Sequence, residues 1–216
     1  MKLLFENWRS YLKEDAKTLS MAERLPELGW KVKIAERKNG DTMITLVHRA
    51  TEETMGVVKI YSSVGFGFGQ CLKTHFVGWA MAEGKGAGFG PLLYDVAMEL
   101  VSIDKDSSLT ADRSTVSDEA FAVWKHYLTK RNDVEEFQLD DLNNTLTPEL
   151  EDNCKQRAFD MRFGEDEPDA YGKPNDAARK KIKKKHMKQS PITKVYKKTN
   201  RDVLDFLEEN DLVIRE

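Results

Sequence analysis

From Trp30 to Glu36 apolar and polar positions alternate, with Val32 and Ile34 set between lysines. That period of two predicts a strand buried on one face. Thr42 to His48 carries Met43, Ile44, Leu46 and Val47, and residues 55–61 carry Val57, Val58 and Ile60, so two more strands follow. Asn39-Gly40-Asp41 supplies a hairpin turn between the first two, and the polar residues 51–54 turn the chain again. Residues 71–81 predict a fourth strand. Before it, Gly65, Gly67 and Gly69 alternate with Phe66 and Phe68. That stretch reads as a flexible loop; a second phosphate-binding loop is the other reading, with no helix following to complete it.

Period-3.6 segments surround these strands. In residues 1–15, Leu4, Trp8, Tyr11 and Leu12, with Phe5 beside them, share a helical face, while Lys2, Glu6, Arg9 and Lys13 point elsewhere. Residues 18–28 predict a second short helix, stopped near Gly29. A helix over 92–101 follows a glycine-rich turn, with Pro91 suited to the first helical position. Ser108-Leu109-Thr110-Ala111 predicts a fifth strand. Ser117 then caps a helix reaching about Arg131, with Ala120, Val123, Trp124, Tyr127 and Leu128 as its apolar stripe. This order predicts an α+β fold: a mixed, mostly antiparallel central sheet with flanking helices, closed by a β–α–β crossover.

Beyond the last helix the periodicity fades. Residues 132–169 are acidic, with Phe137, Leu139, Leu142, Leu146 and Leu150 scattered among the charges. Residues 168–175 hold two prolines and a glycine and read as a linker. A basic run begins at Arg179 and extends to Lys198. Residues 199–216 predict a closing helix with Val203, Leu204, Phe206 and Leu207 on its apolar face. The expected division is an N-terminal helix over 1–15, a folded domain over 16–140, and an acidic then basic C-terminal extension over 141–216.

Composition fits that division. Hydrophobic residues are 40% and charged residues 33% of the 216, a polar balance that calls for solvated segments around a folded centre. With 34 basic and 37 acidic residues the net charge of −3 excludes no class of partner, so the distribution of charge matters more than its sum. Cys71 and Cys154 make neither a disulfide framework nor a metal-ligand spacing, which points to a reducing, cytoplasmic setting. No apolar run reaches the ~18 residues of a membrane span. The charged N-terminus lacks the cleavage site of a secretory signal.

The chemistry concentrates in Lys85-Gly86-Ala87-Gly88-Phe89-Gly90-Pro91-Leu92-Leu93-Tyr94. A strand, a glycine-rich turn and a helix N-terminus make an anion site, because glycines admit a ligand close to the backbone and the first helical turn has unpaired N–H groups. The turn follows the fourth strand rather than the first, which argues against a dinucleotide fingerprint. Gly90-Pro91-Leu92 lacks the Lys-Ser/Thr ending of a P-loop.

The layout resembles the GNAT family of N-acetyltransferases, whose signature Arg/Gln-x-x-Gly-x-Gly/Ala lies between the fourth strand and the next helix and often continues Leu-Leu. The resemblance covers about residues 30–131. Lys85 heads the motif in place of Arg or Gln, and Trp124 stands where the family has a tyrosine. Residues 90–98 and then 109–133 also look like a set of bacteriophage proteins labelled acetyltransferases. Leu12-Lys13-Glu14 resembles the cleavage site of capsid-targeting peptides in large tailed phages, the alternative being a helix docked on the domain.

The resemblance implies an N-acetyltransferase moving acetyl from acetyl-CoA to an amine, acting in an infected host cell or packaged in a virion. It implies that Lys85, Gly86, Ala87, Gly88, Phe89, Gly90 and Leu92 hold the pyrophosphate, and that the backbone of Trp79, Ala80 and Met81 meets the pantetheine arm and acyl carbonyl. A bulge at Gly78 would splay the fourth and fifth strands. His75 is a candidate base or a packed strand residue. Tyr127 is a candidate acid or plain core, one turn beyond Trp124. Asp112 and Arg113 would bind substrate or pair on the surface. No metal is expected. The rival function is a non-catalytic virion protein binding nucleic acid through the segment from Arg179 to Lys198, unless the acidic segment neutralises it.

Overall fold

The computed structural model describes residues 18–62, 74–82, 89–112, 116–139 and 189–216. The described residues open with α1 (Thr18–Leu28), stopped by Gly29 at φ +74°. Four strands follow: β1 (Trp30–Glu36), β2 (Thr42–His48), β3 (Thr54–Ser62) and β4 (Thr74–Ala82). Gly40, at φ +83°, makes the β1–β2 turn that Asn39-Gly40-Asp41 announces. Next come α2 (Phe89–Glu99), a π-helical turn (Leu100–Asp104), β5 (Ser108–Ala111), α3 (Asp118–Lys130) and β6 (Val134–Gln138). The described chain ends with β7 (Lys194–Lys198), α4 (Asp202–Glu209) and β8 (Val213–Arg215).

These strands form one eight-stranded sheet in the order β6-β7-β5-β4-β3-β2-β1-β8. Only β4–β5 and β1–β8 pair in parallel. The α+β class and the mostly antiparallel sheet are therefore as the sequence predicts.

The alternating residues Val32, Ile34, Ile44, Leu46, Val58 and Ile60 form the strand side of the core. α2 is buried along nearly its whole length and packs across β2 and β3, with α1 and α4 beside it. Gly56 of β3 lets α2 sit close: a Cβ there would stand 2.9 Å from Leu93 Cδ1. Helix α2 starts at Phe89 rather than at the expected 92, so Pro91 lies inside its first turn, where no intrahelical N–H bond is lost.

The C-terminal residues differ most from the sequence reading. The stretch 189–216 completes the sheet instead of extending from it: β7 enters between β5 and β6, and β8 lines the outer edge of β1. The closing helix is limited to Asp202–Glu209. Asp211 turns at φ +53°, and Leu212 O then accepts from Val32 N–H at 2.8 Å, which aligns β8 with β1. The expectations at 1–15, 63–70, 71–73, 85–88, 113–115 and 140–188 lie outside the described residues.

Candidate functional site

The β3–β4 pairing is interrupted beside the start of α2. Lys59 of β3 faces Trp79, but Ile60 faces Val77, so Gly78 is the extra residue of a β-bulge. Any larger residue there must displace a ring: a Cβ on Gly78 would lie 2.3 Å from Tyr61 Cε2. The Tyr61 ring is held in place by stacking on Phe76 at 5.3 Å and by Lys59 Nζ, 4.4 Å from its centroid.

On its other side β4 loses its partner. β5 pairs with Thr74 to Val77, and the last contact is Asp112 N–H donating to Val77 O at 3.1 Å. Five more residues of β4 follow, from Gly78 to Ala82. Among the described residues nothing pairs with them on that side. Trp79 and Met81 are 49% and 39% exposed.

A cleft of about 80 Å³ opens beside this edge. Its rim is formed by Ala80, Met81 and Ala82 of β4, Gly90 in the first turn of α2, and Ser117, Glu119 and Ala120 at the start of α3. Val57, Val58, Leu93, Tyr94 and Val123 line the rest, and all five are buried. Ser117 caps α3 by accepting from Ala120 N–H at 3.2 Å. Two helices therefore present their positive ends at the rim. Glu119 is the charged side chain of the lining. The Tyr94 phenol is pushed well above its ordinary value by burial and stays protonated.

Beneath the cleft a buried ionic cluster ties α2 to α3 and to the C-terminal segment. Lys198 Nζ donates to Glu99 Oε1 at 2.7 Å and lies 3.2 Å from Asp133 Oδ2. Arg131 pairs with Asp95 at 3.0 Å and with Asp133 at 2.6 Å. Three carboxylates face two cations, and the excess negative charge is met by the start of α4, where Val203 and Leu204 N–H groups donate to Glu99. Burial disfavours the Lys198 cation, but Asp95, Glu99 and Asp133 outweigh it and keep the amine charged. Burial likewise raises Asp133, yet the bonds from Arg131 and the charge of Lys198 hold it well below the usual carboxylate range.

The sequence-derived site residues divide accordingly. Ala80, Met81 and Gly90 line the cleft, and Trp79 sits on the same open stretch of β4. Phe89 and Leu92 are buried in α2 and do not line it. Lys85, Gly86, Ala87, Gly88 and Arg113 lie outside the described residues. Tyr127 is buried and donates to Asp95 Oδ1 at 2.6 Å, within the ionic cluster. His75 lies five residues, or about 16 Å along the strand, before Ala80; its Nδ1 is 2.9 Å from Ser107 Oγ. Burial, followed by the Lys105 charge, lowers its pKa, with Glu36 opposing. Of the basic run, Lys194 and Lys198 are buried, and Lys197 pairs with Asp106 at 3.3 Å.

Tyr94 and Glu119 were not singled out by the sequence. The only available signal was spacing: Tyr94 is one turn beyond Gly90 on the same helical face, and Glu119 is adjacent to the capping Ser117. Among the described residues no cluster of His, Cys, Asp or Glu could hold a metal, and no helix is long and apolar enough to cross a membrane.

Fold and site together define an α+β protein with a mostly antiparallel sheet, opened at one strand beside a small cleft. Set against family models, curated proteins and solved structures, the chain matches none.

Proposed function

We propose that this protein is an acyltransferase of the GNAT kind, moving an acetyl group from acetyl-CoA to an amine. The observation that carries this reading is the open edge of β4: parallel pairing with β5 stops at Val77, the chain bulges at Gly78, and the strand then borders a cleft flanked by two helix N-termini. An extended, amide-bearing arm can pair with such an edge as another strand would. An anionic group suits the first turn of α2. The resemblance assigns residues 85–90 to that role, and they lead into this turn.

Acetyl-CoA supplies the activated acyl carbon. The chain supplies position and proton control. Backbone groups of residues 79–81 orient the acyl carbonyl at the open edge. The Tyr94 hydroxyl, kept protonated by burial, donates a hydrogen bond to the leaving sulfur, which takes its proton from solvent. Tyr127 is less suited, because its proton is already donated to Asp95. Glu119 draws the cationic form of the amine to the rim; the ammonium loses a proton to water, and the neutral amine forms the C–N bond as the C–S bond breaks, its remaining excess proton also passing to water.

Calorimetric titration with CoA tests the reading. The wild-type protein should bind, and Ala120→Phe, which plugs the rim, should abolish binding without unfolding the protein. Tyr94→Phe should still bind CoA but transfer acetyl about 100-fold more slowly, the loss expected for one hydrogen-bond donor to the developing charge. Absence of CoA binding by the wild-type protein would refute the proposal.

A further inference from the structure

The cleft has a floor and a rim of different character. At the rim, Ala80, Met81, Ala82 and Ser117 are exposed. At the floor, Leu93, Tyr94 and Val123 are 0%, 4% and 3% exposed. Charge is found at the rim, on Glu119, whereas the floor is aliphatic apart from the Tyr94 phenol. A ligand seated here therefore places a compact, uncharged end inward and its polar part outward.

The floor is also closed behind. Trp124, 1% exposed, meets Tyr94 edge-on at 5.7 Å and stacks on Tyr196 at 5.2 Å. One turn further, Arg131 and Tyr127 bind Asp95 and lock α3 to α2. A close-packed wall of this kind does not recede to admit extra methylenes. The volume of about 80 Å³, room for roughly five to eight water-sized groups at ~10–15 Å³ each, must hold the thiol end of the arm and the acyl group together.

We infer that Val123 and Tyr94 set the upper length of the acyl group, so that the cleft accepts a short, uncharged acyl chain and rejects longer ones. This rests on the acyl-CoA reading given above. Val123 comes from α3 and Tyr94 from α2, so the limit depends on the spacing of the two helices that the ionic cluster fixes.

Calorimetry with CoA, acetyl-CoA, butyryl-CoA and hexanoyl-CoA tests it. The wild-type protein should bind hexanoyl-CoA at least about 10-fold more weakly than acetyl-CoA. Val123→Ala, which removes two methyl groups from the floor, should narrow that gap and improve butyryl-CoA most. Val123→Leu, which fills the floor, should weaken acetyl-CoA more than free CoA; its melting transition checks that it is folded. Equal affinity for acetyl- and hexanoyl-CoA, or ratios that neither variant moves, would overturn the inference and leave the acyl-CoA reading standing. Failure of the wild-type protein to bind CoA in any form would remove both.

Discussion

Lys198 belongs to the most basic stretch of the sequence, yet its side chain is 2% exposed and lies among Asp95, Glu99 and Asp133. Removing one member of a buried ion cluster leaves uncompensated charge, which costs about 3–5 kcal/mol. Lys198→Met should therefore lower unfolding free energy by that order in chemical denaturation, and a loss below about 1 kcal/mol would show the cluster to be electrostatically idle. His75 gives a second prediction. Its folded pKa is depressed below the ordinary 6.5, first by burial and then by Lys105. Stability from a depressed group is present above the unfolded pKa and is lost as pH falls through the folded one. Stability should thus decline as pH drops below about 6.5, and His75→Gln, which can still bond Ser107, should flatten that decline. An unchanged pH profile in denaturant midpoints would contradict this.

At the scale of elements, β4 carries the bulge beside the cleft, and Gly78 is the reason. A methyl group at 2.3 Å from the Tyr61 ring must displace it from Phe76 and Lys59, so Gly78→Ala should cost about 1–3 kcal/mol. It should also weaken CoA binding by moving the open edge; a variant as stable as the wild type would mean that the ring yields freely. The same strand shows what was legible in sequence. β1 and β2 have their predicted bounds because one face carries the apolar residues and turns with Gly40 and polar residues separate them. The bulge was legible from a glycine between Val77 and Trp79. β7 was not. Its Lys194, Lys197 and Lys198 look like a solvated run, and only Val195 and Tyr196 hint at a strand. Their partners, Gln138, Asp106, Glu99 and Asp133, are distant in sequence, so no local pattern reveals the pairing. β6 was hidden likewise among acidic residues, and β8 by its proximity to a strong helical stripe.

At the scale of the whole molecule, the C-terminal residues hold the two walls of the cleft together. β7 sits beside β5, and Lys198 and the start of α4 grip Glu99 of α2, while Arg131 joins α3 to the same cluster. The position of the cleft was partly legible, because Ala80, Met81, Gly90 and Ala120 could be placed by the order of strand, glycine turn and helix. Tyr94 and Glu119 were not, since their role depends on the separation of α2 and α3, which long-range contacts set. On the proposed reading, acyl-CoA lies along the open edge of β4. Hydrogen exchange of backbone amides with and without CoA tests it most directly. CoA should slow exchange in residues 78–82 and in the first turns of α2 and α3, with β1 and β2 unchanged. Unaltered exchange in residues 78–82 at saturating CoA would contradict the claim.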